Sequence, residues 1–296
     1  MLIYNVLYHN MSDLIIIVGP TASGKTALAI DLAKKLDGEV ISADSRQVFK
    51  YLDIGSGKVS KEEMNGVMHH MLDVVAPGER YTAMDWLRQA EILIKEIRSR
   101  NKIPIICGGT GLYIDALLYG LDNASVENLT QRKVLEGMTL LEVQNILKEK
   151  VKNSDNPEYF NNLNNSEKNN KQRLIRKIEL SNYSLKDSTY RKLKCNPEVI
   201  ILNPNKDELK IKIQNRIMKR LKRDNNMIEE VRDLIESKGV SKAWLKSLGL
   251  EYKYITMYLN NEIDYQTLIK TLEEKIFQYA KRQITWNKKY NTLTKK

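Results

Sequence analysis

The stretch Gly19-Pro20-Thr21-Ala22-Ser23-Gly24-Lys25-Thr26 leaves this chain few choices of fold. It matches G-x-x-x-x-G-K-[ST], a loop whose backbone N–H groups wrap phosphate oxygens while the lysine reaches the terminal phosphates and the hydroxyl serves Mg²⁺. Such a loop works between a buried strand and a helix N-terminus, where the helix dipole adds to the attraction for an anion. Both flanks are present. Residues 14–18 form an apolar run suited to a strand covered on both faces, and residues 27–33 carry a helical period. An α/β fold follows, a parallel sheet flanked by helices, with a di- or triphosphate held at Gly19 to Thr26. The motif does not say what becomes of that phosphate.

Two later junctions converge on the same place. The second predicted strand, residues 39–42, delivers Asp44, Ser45, Arg46 and Gln47 to its carboxyl end, the edge where open parallel sheets bind ligands. A carboxylate there can meet Mg²⁺ through water or accept a proton from a nucleophile; its plainer role is a helix N-cap. The strand at residues 103–107 runs into Gly108-Gly109-Thr110-Gly111, whose glycines admit close approach and whose Thr110 offers a hydroxyl to the same crevice. His69 and His70 open a further strand-like run to Val74. Neighbours on a strand face opposite ways and no third ligand has suitable spacing, so they read as structural or substrate-contact residues rather than metal ligands.

The chain has 296 residues with 48 Lys+Arg against 37 Asp+Glu, a formal charge of +11 that favours a polyanionic partner. Two cysteines supply neither a metal spacing nor a disulfide framework, which fits a reducing cytosol and a cytoplasmic protein. No membrane span or secretory signal is expected. Residues 1–10 read as an extension ahead of Met11, which is itself a candidate start. From about Gly120 the composition turns polar. The expected division is a catalytic core of residues 12–120 and 172–296, with 121–171 inserted; within the insertion, residues 135–148 read as one short helix and 153–171 as an exposed, mobile stretch. Basic amphipathic helices follow at 172–180 and 206–223, then helices at 227–237 and 265–289.

Taken together, GPTASGKT, ISADSRQVFKYLDIGSGKV, HHMLDVVAPGERYTAMDW, PIICGGTGLYIDALLYG and QYAKRQITW stand in the order and near the spacing of one family. The chain resembles the tRNA dimethylallyltransferases (tRNA isopentenyltransferases) over most of residues 14–286. The resemblance implies a P-loop-type core with an inserted helical tRNA-binding subdomain. It implies transfer of a dimethylallyl group from dimethylallyl diphosphate to the N6 amine of the adenosine next to the anticodon. It also recasts the opening motif, which invites an ATP-binding label: the loop would hold the donor's diphosphate, with Mg²⁺ on Thr26, and no phosphoryl group would move.

The same resemblance assigns roles. Asp44 matches the general base and Lys25 stabilises the leaving oxygen. Thr110 stands at the substrate tRNA and the catalytic centre, and Asp44 to Gln47 contacts the target base. Gln172, Arg173, Leu174, Ile175 and Arg176 correspond to a tRNA-contacting segment and Arg132 to another contact, while Lys212 and Arg216 align with diphosphate-gripping arginines. Departures are visible: Gln172 stands where the family has arginine, and Lys212 keeps the charge without the bidentate geometry. Free adenylate as acceptor, a P-loop ATPase or kinase, and a non-catalytic tRNA binder are the competing readings. A monomer is expected.

Overall fold

The computed structural model describes residues 13–121, 129–181, 193–222 and 226–294. Five parallel strands, β1 (Ile15–Val18), β2 (Gly38–Ser42), β3 (His69–His70), β4 (Ile103–Gly108) and β5 (Glu198–Ile201), form one sheet in the order β3-β2-β4-β1-β5. Val18 is opposite Gly108 on one side and Ile201 on the other, and Ser42 is opposite Cys107. The carboxyl ends of β1, β2 and β4 therefore finish nearly level, and the loops leaving them open into one crevice.

Four helices accompany these strands: α1 (Lys25–Leu36), the one-turn α2 (Lys61–Met64), α3 (Ala83–Ser99) and α4 (Gly111–Tyr119). α1 buries Ala29, Leu32 and Ala33 in one cluster with Ile15, Ile17, Val40 and Ile105. α3, started by a reciprocal Thr82–Asp85 capping box, buries Trp86, Leu87, Ala90, Ile94 and Ile97. With helices supplying apolar cover, every residue of β1 is buried, and the sequence accordingly has no alternation there. The strand-like run from His69 shortens to two residues, because Met71 (φ 64°) and Asp73 (φ 57°) turn the backbone left-handed.

The chain divides into two compact units, one of Met1–Leu118 with Leu193–Lys296 and one of Tyr119–Lys192. The second unit holds α5 (Leu129–Gly137), α6 (Leu140–Lys152), a 3₁₀ turn at Pro157–Tyr159, α7 (Asn165–Lys168) and α8 (Lys171–Leu180). Two expectations are corrected here. The single helix over 135–148 is broken, since Thr139 and Glu142 form a capping box that starts α6 afresh. The polar stretch 153–171 is folded: Phe160 and Leu163 join Leu135, Val143, Leu147, Val151, Leu174, Ile175 and Ile178 in one core. This core also draws α8 into the inserted unit, beyond the boundary expected at residue 171.

After β5 the first unit continues with α9 (Lys206–Leu221), α10 (Met227–Glu236), α11 (Lys242–Leu248), α12 (Leu250–Leu259) and α13 (Tyr265–Asn287). α11 and α12 went unread in the sequence, and they meet at Gly249 (φ 77°), which ends one and begins the other. Residues 1–10, with Met11, and Arg223 lie outside the described residues. Among the described residues no helix is long and apolar enough to cross a membrane.

Candidate active site at the carboxyl edge of the sheet

The phosphate loop leaves β1 and turns through left-handed Ala22 (φ 62°) and Gly24 (φ 91°) into α1. Gly24 gives α1 no side-chain cap, so its first-turn N–H groups are left for an anion. Lys25 folds back and its Nζ donates to the Pro20 carbonyl oxygen at 2.7 Å. Burial lowers the Lys25 ammonium to about 8, against the partial opposition of Cys107 and Asp44 and with the reinforcement of Arg216. A weakly solvated cation of this kind gains most from a phosphate partner. Gly19 and Pro20 are buried beneath the loop, while Thr21, Lys25 and Thr26 line a cleft of about 550 Å³.

Asp44 lines the same cleft, as expected. Its Oδ1 accepts the Arg46 backbone N–H at 2.8 Å, which fixes the side chain against its own turn. Thr110 meets the Asp44 turn through both its side chain and its backbone. Its Oγ1 accepts the Ser45 N–H at 2.9 Å and its own N–H donates to the Ala43 carbonyl at 3.1 Å, so it braces the Asp44 turn. The glycine two residues before it is dictated by that closeness, since a Cβ on Gly108 would stand 2.2 Å from the Ala43 oxygen. Gln47 bridges the Ser42 hydroxyl (3.0 Å) and the Gly57 carbonyl (3.3 Å), and Arg46 reaches the Leu248 carbonyl. Cys107, read in the sequence as core, is buried and also borders the cleft; burial pushes its thiol up to about 11.

The C-terminal helices close the opposite wall. Arg216 donates to Thr21 Oγ1 at 3.0 Å, which joins α9 to the phosphate loop. Lys212 is exposed and is not among the residues lining the cleft, so only one of the two expected cations of α9 reaches the site. On α13, Gln283 accepts the Thr21 N–H at 2.8 Å and donates to the Gly109 carbonyl at 3.0 Å, clipping both glycine-rich loops to one side chain. Lys275, Tyr279 and Arg282 present a cationic and aromatic face to the cleft. Sequence reasoning missed Gln283 as a site residue. Its spacing four residues after Tyr279 was the available signal, since i and i+4 share a helix face.

The remaining predicted residues lie in the second unit. Gln172 and Arg173 are exposed, whereas the side chains of Leu174 and Ile175, expected in the same tRNA-contacting segment, are fully buried in its core. Arg132 and Arg176 both hold Glu179: Arg132 Nη1 at 3.0 and 3.3 Å from its two oxygens, Arg176 Nη1 at 3.1 Å. Glu179 is 2% exposed. The two arginines are thus positioned by an acid the sequence did not single out. Of the histidine pair, His70 Nε2 contacts Glu39 at 2.7 Å and His69 Nδ1 contacts the Val67 carbonyl oxygen at 2.9 Å.

The model of the family described as IPP transferase matches residues 47–290. The tRNA dimethylallyltransferase of Caldanaerobacter subterraneus subsp. tengcongensis is 39% identical over 291 residues, covering 95% of this chain and 90% of the relative. That of Clostridioides difficile is 38% identical over 286 residues, with 94% and 89% covered. Among solved structures, the full-length tRNA isopentenylpyrophosphate transferase from Bacillus halodurans is similar with a TM-score of 0.68 at 32% identity, over 93% of this chain and 86% of that one. A eukaryotic dimethylallyltransferase acting on tRNA gives a TM-score of 0.75 at 25% identity, over 93% and 69%. Agreement at this level, across nearly the whole length and through both units, means that the chain belongs to the IPP transferase family, together with the tRNA dimethylallyltransferases.

Proposed function

We propose that this protein transfers a dimethylallyl group from dimethylallyl diphosphate to the N6 amine of the adenosine 3′ to the anticodon in tRNA, releasing diphosphate. The observation that carries the reading is the meeting of Asp44, Lys25 and Arg216 around one cleft, an acid and two cations at the mouth of a phosphate loop. Phosphoryl transfer would need the same cradle, but the relatives are named as prenyl transferases.

In the proposed reaction the allylic C–O bond breaks and its electron pair leaves with the diphosphate, while the adenine nitrogen forms the new C–N bond. Charge grows on the leaving oxygen beside Lys25, Thr26, the loop amides and Arg216, groups already oriented before substrate arrives. The proton lost from the nitrogen goes to the Asp44 carboxylate, held in place by the Arg46 N–H and, through Ser45, by Thr110. The target base has to leave its stack to reach the cleft.

The residues fit a Mg²⁺ ion that arrives on the diphosphate. Thr26 and Asp44 offer oxygen donors in the cleft, whereas no carboxylate cluster exists to hold a resident ion among the described residues. Bound there, Mg²⁺ would supply further neutralisation of the leaving group. Action on tRNA implies a cytoplasmic enzyme, here proposed to work as a monomer.

The test is transfer from radiolabelled donor to unmodified tRNA and to AMP in parallel, with nucleoside mass spectrometry of the product. Label in N6-dimethylallyl adenosine from tRNA is expected. Label in AMP alone would overturn the proposal in favour of an adenylate prenyltransferase.

A further inference from the structure

Behind Arg216 lies a second guanidinium that no role described so far explains. Arg220 sits one turn further along α9, on the same face, and is only 9% exposed. Arginine is rarely buried to this degree unless it is paired. Its Nη1 donates to the Gly55 carbonyl oxygen at 3.2 Å and stands 3.7 Å from Glu251 Oε1. The Glu251 carboxylate favours the charged form of both Arg220 and Arg216, so one acid serves two guanidinium groups. Burial, followed by the charge of Arg216, lowers the Arg220 group to about 10, with Glu251 opposing.

The two head groups meet at Gly57. A Cβ built there would stand 1.7 Å from Arg220 Nη2 and 1.9 Å from Arg216 Nη2, and the residue's φ of +68° is itself unfavourable for other side chains. Both guanidinium groups therefore crowd the same face of one α-carbon, and two like charges in contact away from bulk water repel strongly. Arg216 faces the cleft and holds Thr21 of the phosphate loop, whereas Arg220 is anchored to the Gly55–Gly57 turn.

We propose that Arg220 is a positioning residue for the leaving diphosphate: fixed to the Gly55 carbonyl, its guanidinium holds Arg216 forward and raises the positive potential of the site, so that a diphosphate is selected over a monophosphate. The inference rests on the donor reading above. A polyanion between the phosphate loop and Arg216 offsets the repulsion within the pair, and a monophosphate offsets less of it.

The experiment is calorimetric titration of inorganic diphosphate and inorganic phosphate, with Mg²⁺, into the full chain as wild type, Arg220→Gln and Arg220→Lys. Glutamine keeps a donor for the Gly55 carbonyl and removes the charge; lysine keeps the charge. R220Q is expected to weaken diphosphate about tenfold, a change of about 1.4 kcal/mol. It should weaken phosphate by a smaller factor, and R220K should stay within about threefold of wild type. In turnover, the R220Q donor KM should rise by a similar factor while the tRNA KM holds. Should R220Q not fold, Arg220→Met replaces it as the neutral variant and is held to the same outcomes. Diphosphate affinity in the neutral variant equal to wild type, or in R220K as low as in the neutral variant, overturns the inference and leaves Arg220 structural. A wild-type chain that binds neither anion overturns the donor reading instead, a result visible without any substitution.

Discussion

Lys25 sits in an environment far from that of an exposed lysine, with its ammonium at about 8 and its Nζ donating to a carbonyl of its own loop. Because the folded value lies below the unfolded one, the unfolded state binds more protons between these values. The unfavourable contribution of Lys25 is therefore complete below pH of about 8 and is relieved as pH rises toward the usual lysine range. Lys25→Met is expected to raise the melting temperature near neutral pH, read by scanning calorimetry, while prenyl transfer is lost. Ligand binding has the opposite sign. An anion needs the ammonium, so affinity for a non-transferable alkyl diphosphate should fall as pH is raised through about 8 in wild type and hold in Lys25→Arg. Asp44→Asn is expected to lower kcat by roughly 10²–10⁴ with tRNA and diphosphate affinities nearly unchanged, checked by single-turnover assay and titration. Asp44 was readable from its place after a strand. The bracing hydrogen bond of Thr110 was not, because it joins residues 65 positions apart.

At the scale of the element, α13 and α8 each do more than their amphipathic pattern discloses. α13 lends Gln283 to both glycine-rich loops, so Gln283→Ala should cost about 2 kcal/mol in denaturant unfolding, roughly one for each hydrogen bond lost, and should raise the donor KM. α8 buries Leu174, Ile175 and Ile178 and adds Glu179 beside them to receive two arginines. Glu179→Gln is expected to destabilise the inserted unit by roughly 2–4 kcal/mol, toward the low end because Arg132 and Arg176 remain part-solvated. Hydrogen exchange over residues 129–181 would register the loss locally. Helix starts such as Thr139 carried a sequence signature that the apolar period across 135–148 outweighed. The packing of Phe160 and Leu163 was hidden for another reason: isolated apolar residues in a polar run show no period, and their burial depends on partners more distant in sequence.

For the whole molecule, the two ends of the insertion are close together in the first unit, where the Lys194 N–H donates to the Leu118 carbonyl at 2.7 Å. Replacing residues 119–192 by a short Gly/Ser linker is therefore expected to leave the first unit folded, with diphosphate affinity within about threefold of wild type, and to abolish tRNA binding in gel-shift assays. A truncated chain that still binds tRNA as wild type does would count against the inserted unit as an RNA-binding part. The sequence by itself determined the sheet, the phosphate loop and the position of Asp44, because each is set by local order: an apolar run, a glycine-rich turn and a helix start within a few residues of one another. Only the tertiary structure decided which cations serve the site. The charge count of α9 does not distinguish Lys212 from Arg216 or Arg220. Packing against Gly57 and Thr21 does, since it turns one face of the helix toward the phosphate loop and leaves Lys212 in solvent.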